Sequence, residues 1–538
     1  MSGPDSRFAS RGSSLYSQNP ARDLRVPAGW GSADELTDRS WAIKEWTGNS
    51  GIGGPERAAN ALRHHPGFVW LDSALAHPVR GRWSILAANP RWTLDARGSQ
   101  LRFTSAERTW RSEADPIAVA AQLIESEQEG FLACPSATNS PNLPFAGGAI
   151  GYFGFELARH IESLPATTID DVGAADLVIG WYDAALVWDR LNQRGWLSGT
   201  TNAIADLSEL LAGTKAESEL APIPGEVHRR RGGPTQFESN MARSDYLERI
   251  EAARRYIEAG DIYQVNLSQR FSAPLAISGF EAYLRLRRVS PAPFAAYIST
   301  VGEGGKPVEV LSSSPERLLL VDGQHLETRP IKGTRPRGRD AVEDARLADE
   351  LRNSAKDAAE HSMIVDLERN DLGQIAETGS VAVPQFKELE SYSQVHQLTS
   401  SVTARRRNGV GLDGTLRAIL PGGSISGAPK IRALEIIDEL EPTVRGVYTG
   451  AIGYVSAHGR CDLNVAIRTI TVANRRAYCH VGGAIVHDSV AESEYQETLD
   501  KARGMARALD ALLPDELPPQ HGRPPLTKGF RFKRDARG

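Results

Sequence analysis

Glu316 and Lys332 are the residues of this chain whose types and spacing most directly suggest chemistry. They belong to the stretch Ser313-Ser314-Pro315-Glu316-Arg317-Leu318-Leu319-Leu320, which runs through Val321-Asp322-Gly323 to Arg329-Pro330-Ile331-Lys332-Gly333-Thr334. The apolar run Leu318 to Val321 before Asp322-Gly323 predicts a strand entering a tight turn, and Gln324 to Thr328 predicts the return strand. Such a hairpin carries Glu316 near one end and brings Lys332 back beside it. A carboxyl group and an amine so placed can supply an acid and a nucleophile. Taken alone, the same pair reads as a salt-bridged hairpin.

Two further sets of carboxylates fall on predicted helices at opposite ends of the second half. In Ser354 to Leu367, Glu360 shares a face with Ile364 and Leu367, and Asp357 lies one turn earlier. A carboxylate on an apolar stripe needs a partner, whether metal, Arg or Lys. Ser489-Val490-Ala491-Glu492 fits a capping box opening a helix on which Glu494 and Glu497 share a face, with Lys501 one turn on. By themselves Glu494 and Glu497 read as a solvated face. Oxygen donors without His or Cys suit a hard ion, Mg2+ in particular. Glycine-rich turns at Pro421 to Lys430, Gly450 to Gly453 and Gly482-Gly483-Ala484 either simply permit turns or, with Lys430 and Arg468, hold carboxylate or phosphate. Together these features favour a Mg2+-assisted enzyme acting on a small polyanion.

Positioning such groups calls for a large scaffold. At 538 residues the chain exceeds one ordinary core, so two or more domains, or one large merged unit, are expected. Hydrophobic residues make up 41% and charged residues 24%, the balance of a globular protein. The net charge of -5 gives no electrostatic reason to expect nucleic acid as a partner. Cys134, Cys461 and Cys479 stand far apart, outside metal-type spacing, and read as reduced core thiols. No membrane-length apolar run and no signal-peptide core are present, so a cytoplasmic location without membrane contact is expected.

Residues 1–40 are rich in Ser, Gly, Arg and Asp and predict a disordered segment. Gly67 to Ser73, Arg82 to Leu86 and Leu101 to Phe103 read as strands of an antiparallel sheet, and Ile117 to Glu127 as a helix before a loop at 135–144. The run Phe145 to Glu156 lacks the companions of a dinucleotide fingerprint and reads as two backbones in close approach. Leu177 to Val187 predicts one more strand and Ile204 to Gly213 a helix. A Pro/Gly-rich stretch with the basic run His228 to Arg231 places a linker at 221–241, between an accessory domain over 41–220 and a second domain over 242–514. Residues 515–538 predict a disordered basic tail. Within the second domain, Ser244 is the predicted N-cap of a helix carrying Leu247, Ile250 and Ile257, with Gly260 at its exit. Tyr263, Val265 and Leu267 alternate with Gln264, Asn266 and Ser268, a strand whose polar face meets either solvent or a cavity. A helix over Ala341 to Arg352 precedes the Glu360 segment.

Taken in order, the second half resembles the chorismate-utilising enzymes. The matching stretches are Ser314-Pro315-Glu316, Pro330 to Thr334, Ala359-Glu360-His361 through Val365-Asp366-Leu367, and Arg369-Asn370-Asp371. They continue with Gly422 to Lys430, Tyr448-Thr449-Gly450, Ala466 to Thr469, Ile485 to Ser489 and Glu494 to Thr498. The likeness covers roughly Ser244 to Leu513, and Trp70 to Ser73 with Gly147 to Glu156 resemble the family's accessory domain less closely. It implies an α+β fold like that of anthranilate synthase component I, with large antiparallel β-sheets packed face to face and helices outside. By this resemblance Glu316 is the general acid that protonates the departing C4 hydroxyl of chorismate, and Lys332 the nucleophile at C2. Glu360 and Glu497 would be Mg2+ ligands, with Asp357 and Glu494 as water-mediated or outer partners. Tyr448, Arg468, Gly483 and Lys501 would contact the substrate carboxylates, with Thr334 and Gly427 also at the substrate.

Two positions divide the family. Isochorismate and salicylate formers resemble one another in a water-activating lysine where this chain has Gln264. Members that make anthranilate typically read Pro-Ile-Ala-Gly-Thr, whereas those that make aminodeoxychorismate read Pro-Ile-Lys-Gly-Thr, as here. A ring carbon losing a hydroxyl can be captured by the tethered amine, which ammonia later displaces; alanine cannot do this. Ala484 replaces the last glycine of a Gly-Gly-Gly pattern, and Gln397 stands where a histidine linked with pyruvate elimination is found. The resemblance therefore implies amination of chorismate to 4-amino-4-deoxychorismate, the precursor of 4-aminobenzoate and folate. The alternatives are anthranilate formation and a non-catalytic scaffold role. It also implies a glutamine amidotransferase subunit as ammonia source. Leu71-Asp72-Ser73 and Pro291-Ala292-Pro293-Phe294 resemble a tryptophan pocket, with Ser73 and Pro293 as its candidate residues.

Overall fold

The computed structural model describes residues 40–46, 54–77, 80–134, 143–212, 235–392 and 395–516. Almost all of 1–40 and 515–538, the run His228 to Arg231, and most of the expected linker and of the 135–144 loop lie outside the described residues.

Two twelve-stranded sheets form the body, and every strand pairing within them is antiparallel. Alternation along each strand explains how they stack, because successive side chains point to opposite faces. Val69, Ile85, Val187, Ile298 and Val310 from the first sheet share one core with Ile150, Tyr152, Val178 and Ile452 from the second. The outer face of the first sheet carries helices through Leu207, Ile250, Leu286, Ile437 and Leu499. That of the second carries helices through Leu123, Ile124, Val365 and Leu416. The expected α+β sandwich with helices outside is the observed one.

The expected division at 221–241 does not separate two cores. Val69–Asp72 pairs with Phe294–Val301 in the first sheet, and Gly148–Phe153 pairs with Ala451–Ser456 in the second. Both halves thus contribute to both sheets, and one merged unit results. The glycine run at 147–154 makes this possible. A Cβ on Gly151 would lie 1.9 Å from Val178 O, and one on Gly148 2.4 Å from Val455 O, so the close approach read from the sequence is present.

Several local expectations change. Leu177 to Val187 is two strands, Leu177–Tyr182 in the second sheet and Ala184–Asp189 in the first, because the chain crosses between sheets at Asp183. The helix Arg243–Glu258 is capped at Ala242 without a side-chain bond, so Ser244 lies inside its first turn. Tyr263 stands outside the strand Gln264–Pro274 and is exposed. Ser489 does not form the capping box; the helix Ala491–Leu509 begins after Val490, and Ser489 Oγ instead donates to Glu494 Oε1 at 2.7 Å.

Candidate active site

The site is built where the chain changes sheets. Pro307–Ser314 belongs to the first sheet and Arg317–Asp322 to the second, so Pro315-Glu316 is the crossing. Cys461–Val465 belongs to the second sheet and Thr469–Ala473 to the first, so Ala466 to Arg468 crosses beside it in the opposite direction. The two crossings are laced together: Val465 N donates to Glu316 O at 3.0 Å and Ser313 N to Arg468 O at 3.1 Å. Arg468 turns the chain with φ +49°, a conformation that non-glycine residues seldom adopt and that here sits at a site.

The predicted hairpin is present. Arg317–Asp322 pairs with His325–Arg329, and Asp322 opposes His325 across a two-residue turn in which Gly323 has φ +60°. After Pro330 the strand Ile331–Pro336 continues along Val395–Arg405, with a register shift between Lys332 and Thr334. Gly333 occupies that irregularity with φ +80°, and a Cβ there would lie 2.8 Å from Leu351 Cδ1 and 3.2 Å from Asp357 Oδ1. Glycine therefore lets the helix Ala355–Gly373, which carries Glu360, approach the Lys332 strand.

Glu316 is buried. Burial pushes its carboxyl up to about 7, against the opposing pull of the Ser424 hydroxyl, the Lys332 ammonium, the Ile331 amide and the Lys501 ammonium. Lys332 moves the other way. Burial and the Lys501 charge lower it, while Glu360, Glu316 and Glu497 work against that shift. The amine thus lies within the electrostatic reach of all three glutamates, one from the sheet crossing and one from each acidic helix. An acid near neutrality beside an amine made easier to deprotonate is the state both need in order to act.

The guanidinium of Arg468 has no hydrogen-bond or ion-pair partner among the described residues; burial lowers its pKa and the charge of Glu316 opposes that. An unpaired, partly buried guanidinium is suited to clamp a carboxylate from a ligand. The strand Arg476–Ile485 runs past the start of Thr469–Ala473, pairing with it only as far as Cys479, which leaves the edge at 480–485 open there. Lys501 donates to Gly482 O at 2.9 Å on this stretch and pairs with Glu497 at 2.6 Å. A Cβ on Gly483 would lie 3.4 Å from Glu494 Oε2 and 3.6 Å from Glu497 Oε1, so this stretch of backbone runs directly beside both carboxylates. Tyr448 stacks on His480 at 5.3 Å and lies under the Arg445 guanidinium, and burial raises its phenol to about 12. Gly427 has φ +151°, and a Cβ on it would meet Gln264 O at 2.2 Å, so strand pairing alone explains this glycine. Thr334 is exposed on the strand beyond Gly333.

The polar face of Gln264–Pro274 is mostly spent inside the protein. Asn266 donates to Ser424 O at 3.2 Å, and Ser268 donates to Glu441, which is buried in a pair with Arg445. Gln264 is the exception: it is fully buried, and neither atom of its amide has a partner among the described residues.

The acidic set fits a hard cation in donor chemistry. Lys356 Nζ lies 3.9 Å from Glu360 Oε1 and 3.7 Å from Glu494 Oε1, so a positive charge already sits in the gap between the two helices. Asp357 is turned elsewhere, its Oδ2 accepting from Arg335 at 2.9 Å. With these side-chain pairings, no three acidic, His or Cys side chains among the described residues are arranged as a metal-ligand group. Lys356, Ser424 and Arg335 are the neighbours that sequence reasoning missed, while Ser489 was read as a cap and not as a partner of Glu494. Only Lys356 left a signal, a basic residue in the first turn of a helix, where the macrodipole disfavours it.

Ser73 and Pro293 line one cavity of about 360 Å3 between the sheets, with Leu71, Arg80, Tyr454 and Asn464. Asp72 at its edge already accepts from Ser84, Arg190, Tyr283 and Arg287. Cys134, Cys461 and Cys479 are all buried. Among the described residues no helix is long and apolar enough to cross a membrane.

The two-sheet fold, with a buried glutamate at one sheet crossing and an unpaired arginine at the other, falls within a known class: the chain belongs to the chorismate binding enzyme family, whose model matches residues 71–507. Within it the chain is 40% identical over 452 residues to aminodeoxychorismate synthase component 1 of Escherichia coli K12, covering 84% of this chain and 94% of that one. It is 39% identical over 425 residues to anthranilate synthase component 1 of Thermus thermophilus, covering 77% and 90% respectively. In structure it is similar to anthranilate synthase component I from Streptococcus pneumoniae, with a TM-score of 0.66 and 34% identity over 80% of this chain and 93% of that one.

Proposed function

We propose that this chain aminates chorismate at C4, giving 4-amino-4-deoxychorismate. The observation that carries the reading is the half-buried Lys332 amine, within the electrostatic reach of Glu316, Glu360 and Glu497, with the unpaired Arg468 within that of the same Glu316. Arg468 clamps one carboxylate of the substrate, and Tyr448, Gly483 and Lys501 border the other. Glu316, protonated for much of the time near neutrality, gives its proton to the departing C4 hydroxyl, which leaves as water. Lys332, deprotonated, closes on C2 as that bond breaks. Ammonia then bonds to C4, the C2–N bond to Lys332 breaks, and the excess proton of the new amine returns to Glu316. Atoms and protons balance over the cycle: chorismate and ammonia give product and water.

Glu360 and Glu497, with Glu494 behind them, would hold Mg2+, which supplies positive charge for the ring carboxylate when bound. Ammonia comes from a separate glutamine amidotransferase, a reading supported by the word "component" in the relatives' names. The cavity at Ser73 and Pro293 is the place proposed for tryptophan. The relatives named anthranilate synthase keep pyruvate elimination as the competing reading. Against it stands the strand Val395–Arg405. The histidine here is His396, one residue from the position in question, and its ring is tied to Ser391 at 2.7 Å and Asp344 at 3.0 Å. A one-residue offset on a strand places a side chain on the opposite face. Incubation with chorismate, ammonium and MgCl2 tests the proposal. A non-aromatic amino product without pyruvate is expected; fluorescent anthranilate with stoichiometric pyruvate would overturn it, and no turnover at all would favour a scaffold.

A further inference from the structure

Lys356 is in an unfavourable place for a lysine. It lies in the first turn of the helix Ala355–Gly373, where the exposed amides and the macrodipole already concentrate positive charge. Its stem is largely exposed, at 58%, yet its head turns inward to Glu360 and Glu494, which are 17% and 5% exposed. The contact with Glu494 is the only ion pair between this helix and Ala491–Leu509 among the described residues. Unlike Lys501, which is also anchored on Gly482 O, Lys356 has no other polar partner among the described residues. Holding a long side chain in one direction costs rotamer entropy, so these two carboxylates must hold it there.

We propose that Lys356 is a tethered cation that fills the gap between Glu360 and Glu494 when no metal is bound, and that it must leave for a divalent ion to enter. This rests on the reading of Glu360 and Glu497 as the metal-binding pair. The consequence is intramolecular competition: the apparent metal affinity is the intrinsic affinity scaled by the fraction of molecules in which the lysine has swung out. The lysine also keeps the two carboxylates from facing each other unscreened, so the empty site stays formed. Its exposed stem gives it a direct route to solvent once displaced.

The test is Mn2+ binding to the intact chain without chorismate, followed by the electron paramagnetic resonance signal of free Mn2+ at fixed ionic strength. Lys356→Gln is expected to bind Mn2+ roughly three- to tenfold more tightly than the parent, the range two partly exposed ion pairs of ordinary strength would give. Lys356→Arg, which keeps the charge, is expected to stay within about twofold of the parent. In chelator, Lys356→Gln should melt below the parent, and saturating MnCl2 should close that gap. Equal or weaker Mn2+ binding by Lys356→Gln overturns the proposal, provided that the parent binds Mn2+ and Glu360→Gln does not. Absence of saturable binding by the parent would instead overturn the metal assignment on which it rests.

Discussion

Glutamine in place of Glu316 keeps the size of the side chain and removes its proton, and the structure gives this change two effects of opposite sign. The first is on rate. An acid positioned at the leaving group contributes roughly 10²- to 10⁴-fold, so turnover of chorismate with ammonium at pH 7 should fall by about that factor. The second is on stability. Burial raises the carboxyl from 4.5 to about 7 in the folded protein, so folding favours its protonated form. That contribution is complete below about pH 4.5 and is lost as pH rises through about 7. The rise corresponds to about 3 kcal/mol, which the parent forfeits at pH 8.5 and the glutamine variant does not. Glu316→Gln should therefore melt a few degrees above the parent at pH 8.5, with the gap shrinking at pH 5.5. Scanning calorimetry at the two pH values, beside a product assay, measures both. Activity above about a tenth of the parent's, or a melting difference independent of pH, would refute the reasoning.

Arg468→Lys keeps the charge but loses the planar fork, and should raise KM for chorismate about tenfold or more with a smaller loss in kcat, as initial rates over a range of chorismate will show. Glu360→Gln removes half of the proposed metal-binding pair, so Mg2+ dependence should vanish and kcat/KM fall at least about 100-fold, read from a MgCl2 titration. Lys332→Ala should remove a step rather than weaken binding, lowering kcat far more than it changes the chorismate KM.

Much of the site was legible because its residues sit on strong local signals. The Asp322-Gly323 turn fixes the hairpin, and Pro330 followed by the Gly333 irregularity sets Lys332 beside Glu316. The face shared by Glu494, Glu497 and Lys501 followed from helical spacing alone. What did not follow was anything set by sheet crossings. Leu177 to Val187 is apolar on both sides of Asp183, so no change of period marked that residue as the point where the chain changes sheets. The linker composition at 221–241 suggested two units, but strand pairing is set by partners far away in sequence, and Val69–Asp72 found its partner at Phe294–Val301. Side-chain pairings were equally hidden: Ser489 has the sequence of a cap and the job of holding Glu494. Asp357 has the spacing of a ligand but lies within reach of Arg335.

Amination through a tethered amine requires a bond between Lys332 and the substrate ring. The most direct measurement is mass spectrometry of the chain mixed with chorismate and MgCl2, without ammonium, quenched in acid and digested. The peptide containing Lys332 should gain the mass of chorismate less one water, and ammonium added before the quench should discharge it as product. An unmodified Lys332 peptide at every time point, from protein that goes on to form product when ammonium is supplied, would contradict the account.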